Sequence, residues 1–316
     1  RGCNYWQGIL ADKITQTLNI QNSLLTYMSI KIPITGSTMT DGITGVSLKN
    51  GANCIIKNNT FVNNWWTSIL LQKYNGIYNG IIEGNTFTAE GLTLATVNGL
   101  PTWGDKYNHY GITIENMKDA TIGDISDISR GNTFKKLQKG IMITNITRWN
   151  HPWYNNSTIK LYNNIFEKMN GTYLSNTDKD ILNDMGLQNF TWGTSAEYRS
   201  GVAICANGDI YSPAFNKTKV IVDCIPYGEN ANVYIKNCDI GIALTDCDLE
   251  EKNYHFENTL VGIRSNSKRK VDFDIRNNTM WAPHFGVQLN GNIGIMHIRN
   301  NNINLRDQAV NIHKIL

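Results

Sequence analysis

Short runs in which apolar and polar residues alternate recur along the chain, and each is followed by an asparagine-rich corner. Residues 55–61 (IIKNNTF) are typical, because two asparagines separate an apolar segment from a following phenylalanine. Side chains of a β-strand point alternately to opposite faces, so this pattern indicates a short strand with one buried face. Related runs occupy residues 81–87, 159–165, 233–237, 271–277 and 295–300. The pattern predicts an all-β protein.

A second phrase, glycine followed by an apolar residue, a variable residue and Ile or Leu, marks the period of a repeat. The glycines at 241, 262 and 286, followed by Ala309 in the next equivalent place, are 21, 24 and 23 residues apart. Short strands joined by tight corners use roughly 20–25 residues in one coil of a parallel β-helix. The phrase begins at Gly45, Gly111, Gly140, Gly201, Gly241 and Gly286, with a degenerate copy at Gly262.

This period predicts a right-handed parallel β-helix, a solenoid with projecting loops. Successive coils would stack at about 4.8 Å. Ile, Val, Leu and Phe would fill the interior, and asparagines would form hydrogen-bonded ladders at the corners. The right-handed sense follows the general rule for parallel connections. Leucine-rich and helical solenoids are excluded, since neither a Leu-x-x-Leu-x-Leu pattern nor heptads occur.

Composition agrees with many short strands and narrows the classes of partner. The chain has 43 Asn and 39 Ile among 316 residues, with 17% charged residues and a net charge of +3. Asn favours turns, whereas Ile favours buried strands. Without a basic stripe we expect no nucleic-acid partner. No apolar run approaches the about 20 residues of a membrane helix, so we expect no transmembrane segment.

We interpret residues 1–316 as a single domain. Residues 309–316 still read as a strand without a polar cap, so we expect the chain to be part of a longer polypeptide. The repeat lengthens at four places, which are predicted to be loops that project from the coil and carry function. These predicted insertions lie near residues 95–110, 147–158, 171–200 and 211–232.

Aromatic and histidine side chains concentrate in the predicted insertions. They could stack on sugar rings or contact a partner, or they could instead clamp their own loops onto the coil. The candidates for glycan or partner binding are Trp103, His109, Trp149, Trp153, Tyr154 and Trp192.

The six cysteines are scattered without the paired spacing of a zinc site. Two interpretations remain open: most are buried small residues, or some form disulfides. If disulfides form, Cys238 with Cys247 is the first candidate pair, followed by Cys205 with Cys224.

Aligning the strands by their inward residues predicts a charged outer face in the C-terminal third. Ile235, Phe256, Ile275 and Ile298 would form one interior column. Polysaccharide lyases need a cation to neutralise a carboxylate and a base to remove the adjacent proton. Structural pairing of opposite charges is the alternative interpretation. The catalytic candidates on this predicted face are His255, Asp274, Arg276, His297 and Arg299.

A nearby acidic cluster offers weak metal-ligand candidates. Asp246, Asp248 and Glu250 carry the hard oxygen atoms that Ca²⁺ prefers, but they lack a calcium-loop pattern. A solvated acidic turn is the simpler interpretation. We expect no cofactor and no metal site, except that a lyase could use Ca²⁺.

The N-terminal segment Gly2-Cys3-Asn4-Tyr5-Trp6-Gln7-Gly8-Ile9 resembles a phrase of large, secreted, pectin-lyase-like β-helix proteins of Bacteroidota. Residues 58–64 (NNTFVNN) are similar to their asparagine-rich corner. The resemblance implies an extracellular or cell-surface location and possible export by the type IX secretion system. The Asp-Asp, Gly-His-Gly and Arg-Ile-Lys elements of galacturonan hydrolases are missing.

Together these observations favour a rigid structural or adhesive module that binds glycans or a surface protein. If the type IX route applies, the export machinery is a further partner. A polysaccharide lyase, or a related carbohydrate-active enzyme, is the first alternative. A phage tailspike or tail-fibre β-helix is the second, because one scaffold supports many functions.

Overall fold

The computed structural model describes residues 9–12, 18–21, 38–40, 44–49, 54–62, 64, 67–89, 96–97, 100–101, 110–145, 156–169, 201–208, 217–225, 233–281 and 285–304. Within these ranges the regular structure is β-strand, apart from one turn of 3₁₀-helix at Ile128–Arg130. Nearly all strands pair in parallel, so the predicted all-β class is confirmed.

Most strands have two to six residues, and four have 11 to 16. In the first half they are β1 Ile9–Asp12, β2 Leu18–Gln21, β3 Thr38–Thr40, β4 Thr44–Lys49, β5 Cys54–Lys57, β6 Thr60–Val62, β7 Thr67–Ile77, β8 Ile81–Glu83, β9 Thr86–Thr88, β10 Thr96–Val97, β11 Leu100–Pro101, β12 Tyr110–Ile122 and β13 Thr133–Lys135. In the second half they are β14 Lys139–Thr144, β15 Ser157–Tyr162, β16 Ile165–Glu167, β17 Val202–Asn207, β18 Thr218–Asp223, β19 Tyr234–Lys236, β20 Ile240–Thr245, β21 Cys247–Lys252, β22 His255–Glu257, β23 Val261–Arg276, β24 Thr279–Trp281, β25 Phe285–Arg299 and β26 Asn302–Ile303.

Each sheet is built from strands that recur along the chain. The 9-stranded sheet has the order β26-β24-β22-β19-β16-β13-β9-β6-β3, with every pairing parallel and in register. For example, Ile235 pairs with Phe256, and Phe256 pairs with Met280. A 12-stranded sheet and a 3-stranded sheet, β2-β5-β8, complete the parallel pairings of the described residues. Equivalent residues of successive repeats therefore lie side by side.

Strands β12 and β23 each belong to two stacks of the 12-stranded sheet. The first half of β12 pairs with β14, as in Ile112 with Ile141, and its second half pairs with β15, as in Ala120 with Ile159. Likewise β23 pairs first with β20 and then with β21. The pairings β12-β14-β17-β20-β23-β21-β18-β15 return to β12, so eight parallel strands form a closed ring. The other two long strands pair along these, β7 along β12 and β25 along β23.

Buried aromatic rings line the inner face of the 9-stranded sheet. Phe61, Phe87, Phe134 and Phe166 occupy equivalent positions on successive strands and have no solvent exposure. Neighbouring rings stack nearly parallel, with centroids 4.9, 4.7 and 4.9 Å apart. The spacing of the rings matches the distance between paired strands. The phenylalanine of the repeated phrase is therefore a core residue.

Glycines of the second phrase lie against this phenylalanine column. A Cβ atom on Gly111 would be 2.5 Å from Phe134 Cδ1, and one on Gly140 would be 2.6 Å from Phe166 Cδ1. The repeated phrase predicts that Gly201 lies beside Gly140, and this prediction is wrong by two residues. Since Lys139 pairs with Val202 and Ile141 with Ile204, the residue next to Gly140 is Ala203. The position requires a small residue, because the neighbouring ring fills the space.

A buried asparagine ladder runs beside the phenylalanines. Asn59, Asn85, Asn132 and Asn164 each lie two residues before a stacked phenylalanine. The Asn85 side-chain carbonyl accepts hydrogen bonds from Asn59 N at 3.0 Å and Asn59 Nδ2 at 3.1 Å. Asn132 and Asn164 repeat this arrangement, and each Nδ2 also donates to a backbone carbonyl. The predicted corner ladders are confirmed.

The ladder is interrupted where Val233 takes the asparagine position. On the next strand that position is Tyr254, whose hydroxyl reaches Asn164 across the Val233 repeat. It donates to Asn164 O at 3.1 Å and accepts from Asn164 N at 3.2 Å. Tyr254 N in turn donates to Asn278 Oδ1 at 2.8 Å, and Asn278 N donates to Asn301 Oδ1 at 3.0 Å. A long side chain therefore bridges the gap left by a short apolar one.

Other asparagines form the turns themselves. Asn58, Asn163, Asn253, Asn277 and Asn300 precede the ladder position and have φ between 53° and 65°. Few residues other than glycine adopt this left-handed conformation readily, and asparagine is among them. Their side chains also stack, as Asn300 Nδ2 donates to Asn277 Oδ1 at 3.3 Å. These two adjacent positions in each repeat therefore account for part of the high asparagine content.

Two of the predicted insertions contain strands. Strand β18 lies within 211–232 and pairs in register with β15 and β21, so this segment is partly a regular repeat. Strands β10 and β11 lie within 95–110 and pair antiparallel with each other. The remainder of the four insertions lies almost entirely outside the described residues.

Five of the six cysteines lie in the described residues, and all five are buried and form no disulfide with one another. The predicted pairs Cys238–Cys247 and Cys205–Cys224 are therefore wrong, and the alternative of buried small residues is confirmed for these five. Burial raises the pKa of the Cys54 and Cys224 thiols to about 12. Such thiols stay protonated at neutral pH and are poor nucleophiles.

One carboxyl group occupies an interior position. Glu251 on β21 pairs with Val222 on β18 and Ile275 on β23, and its residue exposure is 0%. Its Oε2 accepts a short hydrogen bond from Asn278 Nδ2, while Oε1 has no hydrogen-bond partner. Burial, with a smaller contribution from Asp223, raises the pKa of Glu251 well above its ordinary value of 4.5. The folded state therefore favours the protonated carboxyl.

We expect Asn85→Leu to destabilise the protein by several kcal/mol, because each buried polar group left without a partner costs about 1–3 kcal/mol. The variant removes the acceptor of Asn59 and the donor to Ile56 O and Asn132 Oδ1. Denaturant unfolding measures the free energy of unfolding. Asn292→Leu, at an exposed position, is the control and should change it little. Equal stability of both variants would contradict a structural ladder.

We expect Glu251→Gln to stabilise the protein increasingly above pH 4.5. The raised pKa of Glu251 means that its favourable contribution is complete below its unfolded value and is lost as pH rises towards the folded value. Glutamine keeps an acceptor for Asn278 and carries no charge. The neighbouring titratable groups are Asp223, Cys224 and Tyr254. Thermal unfolding of both proteins from pH 4 to 9 gives the unfolding temperature as a function of pH. Parallel curves for the variant and the parent protein would contradict the raised pKa of Glu251.

Candidate functional site

The predicted charged outer face is divided between two sheets. His255 on β22 pairs with Tyr234 on one side and with Thr279 on the other, within the 9-stranded sheet. Asp274 on β23 pairs instead with Glu250 and His297, within the 12-stranded sheet. The predicted grouping of His255 with Asp274 is therefore wrong. The alignment failed because β22 and β24, rather than β22 and β23, occupy equivalent places in successive repeats.

The other four candidates do lie together. Asp274 and Arg276 alternate outward on β23, directly beside His297 and Arg299 on β25. The inward residues between them, Ile275 and Ile298, pair as predicted. Asp274 and Arg276 are partly buried, whereas His297 and Arg299 are exposed. We call these four residues the charged block.

Ion pairs occupy much of the surface beside the charged block. Arg276 Nη2 is 2.7 Å from Asp274 Oδ2 and 3.9 Å from Glu250 Oε1. Glu250 also contacts Lys219 Nζ at 2.6 Å and Lys252 Nζ at 2.5 Å. Alternating charges on neighbouring strands are the arrangement expected of structural pairing. The carboxylate of Asp274 is thus engaged by a cation, and a catalytic role for the block remains a prediction.

The weak metal-ligand candidates are occupied by protein donors. Asp246 Oδ1 accepts hydrogen bonds from Lys268 N at 2.7 Å and Arg269 N at 2.8 Å. Asp248 Oδ1 accepts one from Asp272 N at 2.9 Å. Across the described part of the chain, no group of three or more His, Cys, Asp or Glu residues could hold a metal ion.

His255 belongs to a different surface, on the outside of the 9-stranded sheet. Its ring centroid is 6.5 Å from that of Trp281, and its strand neighbour is Tyr234. Trp281 is 55% exposed, the second most exposed large hydrophobic residue after Ile295 among the described residues. We call Tyr234, His255 and Trp281 the aromatic face.

A polar pair borders the aromatic face. Lys236 Nζ lies 2.9 Å from Glu257 Oε1, and Glu257 is paired with Trp281 on the neighbouring strand. His255 Nε2 is 3.8 Å from Glu257 Oε2. The surface therefore combines an accessible indole ring with hydrogen-bonding groups on a rigid backbone. Such a combination suits ligands that have both an apolar and a polar side.

Sequence reasoning missed Trp281. The signal was present, because Asn277-Asn278-Thr279-Met280-Trp281 repeats the Asn-Asn-Thr-Phe phrase, with Trp281 at its second outward position. A bulky aromatic residue at an outward position lies outside the core and is accessible to a ligand. The aromatic residues that were predicted to bind ligands, Trp103, His109, Trp149, Trp153, Tyr154 and Trp192, lie outside the described residues.

Acidification should destabilise the protein through Glu250. Its lysine partners hold the pKa of Glu250 at about 2, below the ordinary 4.5, so its contribution is present above pH 4.5 and lost as pH falls towards 2. Solvent screens these partly exposed ion pairs, so the loss should be on the order of 1 kcal/mol. Glu250→Gln should flatten the curve of unfolding free energy against pH in this window.

The matched control is Glu167→Gln, which removes one longer ion pair, 3.4 Å from Lys135. Denaturant unfolding at pH 2 to 6 compares the two variants with the parent protein. An unchanged pH dependence in Glu250→Gln would show that the network beside the charged block contributes no net stability.

No helix within the described ranges is long and apolar enough to cross a membrane. Comparison with protein-family models, with curated proteins and with solved structures gives no match. Inferences about function therefore depend on the residues and geometry of this chain.

Proposed function

We propose that the chain is a right-handed parallel β-helix that serves as a rigid glycan-binding module. The solenoid is supported by parallel, in-register pairing of equivalent strands and by the buried phenylalanine and asparagine columns. The closed ring of pairings is compatible with it, because β12 and β23 continue from one stack of strands into the next. The right-handed sense follows from the chirality rule for parallel connections.

The observation that carries the binding function is the exposed Trp281 of the aromatic face. An indole 55% exposed on a sheet presents apolar surface that a ligand can cover, and covering it is favourable. The faces of sugar rings carry C–H groups that pack on aromatic rings, while their hydroxyls require hydrogen-bonding groups nearby. Lys236, His255 and Glu257 supply such groups.

Rigidity favours this role. The residues of the aromatic face lie on strands β19, β22 and β24, whose inner side chains Ile235, Phe256 and Met280 are fully buried. A ligand that binds there does not have to order a loop, so less entropy is lost on binding. A long repetitive solenoid can also display the surface away from its point of attachment.

We place this module outside the cell or at the cell surface, on the basis of the N-terminal phrase that resembles secreted β-helix proteins. A surface glycan or glycoprotein is then the partner, and export through the type IX system is the proposed route. The binding test below does not depend on this setting.

Trp281→Ala should weaken glycan binding by about tenfold or more, because buried aromatic anchors usually contribute above 1 kcal/mol to an interface. Affinity electrophoresis with hydroxyethylcellulose, xylan, galactomannan and polygalacturonate first identifies a retained polysaccharide. Titration calorimetry with its oligosaccharides then gives the dissociation constant. Trp281→Phe should keep part of the affinity.

Ile125→Ala is the matched control, since Ile125 is an exposed apolar residue of a turn and belongs to neither surface. It should leave binding unchanged. Retention of every bound polysaccharide by Trp281→Ala at parental affinity would overturn the assignment of the aromatic face.

A further inference from the structure

Three cations occupy one outward column at the C-terminal end of the 12-stranded sheet. Lys252 is the strand neighbour of Arg276, and Arg276 is the strand neighbour of Arg299. Positions paired in this way are about 5 Å apart, where like charges repel and destabilise a sheet. Retaining such a column requires anions beside it.

The protein supplies those anions for the first two cations. Glu250 lies 2.5 Å from Lys252, and Asp274 lies 2.7 Å from Arg276. In the neighbouring outward column the residue after Glu250 and Asp274 is His297, not a third carboxylate. The pairing of each cation with a neighbouring carboxylate therefore ends at β25.

Arg299 and His297 remain exposed at this end of the pattern. Among the described residues, neither side chain has an ion pair or hydrogen bond, and both lie beside Arg276 and Asp274. Arg276 also retains a buried Nε atom without a hydrogen-bond partner. The exposed Arg299 and His297 therefore lie beside the last ion pair, at a place where the protein provides no third anion.

We propose that Arg276, His297 and Arg299 bind a single oxyanion group, a carboxylate or a sulfate, of an acidic glycan. This inference rests on the proposed glycan-binding function and specifies the class of ligand. Guanidinium groups recognise such oxyanions by paired hydrogen bonds, which are stronger than those between neutral groups. The bound group replaces the missing carboxylate of the charge pattern.

The position of the block relative to the aromatic face supports a glycan. Arg276 is followed by the exposed Asn277 at the corner, by Thr279 on the next outward position and then by Trp281. Arg299, Asn300 and Asn302 repeat this course in the following strand. An extended sugar chain could therefore follow one repeat from the charged block to the aromatic face.

The surroundings disfavour a nucleic acid as the ligand. Asp223, Glu250 and Asp274 lie close to the cations and would repel a phosphate backbone with closely spaced charges. The net charge of +3 also provides no extended basic surface. One isolated oxyanion between two arginines avoids both difficulties.

The test measures binding of an oligosaccharide of neutral sugars with a single hexuronate, its neutral methyl ester and an oligosaccharide of similar length with a single sulfate, by titration calorimetry. Arg299→Gln should weaken binding of the acidic ligands by about tenfold or more, the loss expected for a hydrogen bond to a charged group, while leaving the methyl ester unaffected. Comparison of the uronate with the sulfated ligand identifies which oxyanion is preferred. Lys268→Gln, which removes an exposed cation outside the charged block, is the control.

Equal binding of acidic and neutral ligands by the parent protein would overturn the proposal, as would an unchanged affinity in Arg299→Gln. Loss of acidic-ligand binding in Arg299→Gln, with no effect of Trp281→Ala on any ligand, would support the anion site and reject the aromatic face. The reverse result would support the aromatic face alone. Thermal unfolding of each variant checks that folding is retained.

Discussion

In-register stacking of equivalent residues is the constraint on which the rest of this structure depends. Every parallel pairing places a residue beside its counterpart from the neighbouring repeat, so each interior position must tolerate its own kind as a neighbour. Phe87 meets this condition by ring stacking, and Asn85 meets it by donating to and accepting from adjacent asparagines. Glycine or alanine beside the rings leaves the space that they need. The repeated phrase is thus a set of mutually compatible columns.

Two positions carry a residue that differs from the rest of its column, and in each a side chain from another repeat compensates for the change. Val233 cannot continue the asparagine ladder, and the hydroxyl of Tyr254 spans the gap to Asn164. Glu251 occupies an apolar column, where Asn278 donates to one carboxyl oxygen and burial favours the protonated form. In both cases a side chain from another repeat supplies a hydrogen bond to the buried polar group, although Oε1 of Glu251 has no partner.

Outward positions are free of this packing constraint, and the two candidate surfaces are found there. The aromatic face and the charged block lie on different sheets, on either side of the asparagine corner that includes Asn277. The first exposes more than half of an indole side chain, and the second ends a pattern of paired charges at His297, where no third carboxylate follows. An acidic glycan would provide what each surface lacks.

Periodicity in the sequence was sufficient to predict the all-β class, the buried apolar positions and the asparagine corners, because side-chain alternation and backbone preference are local properties. The predicted interior column of Ile235, Phe256, Ile275 and Ile298 was wrong between Phe256 and Ile275, because Phe256 pairs with Met280. Periodicity also predicted that Ile275 and Ile298 are neighbours and that Asp274, Arg276, His297 and Arg299 lie together. It did not determine which sheet His255 joins, where β18 belongs or that Trp281 is exposed. Those outcomes depend on how many residues each corner and long strand uses before the chain returns to its neighbour. Only the tertiary structure decides that number, since pairing between repeats is set by contacts between residues distant in sequence.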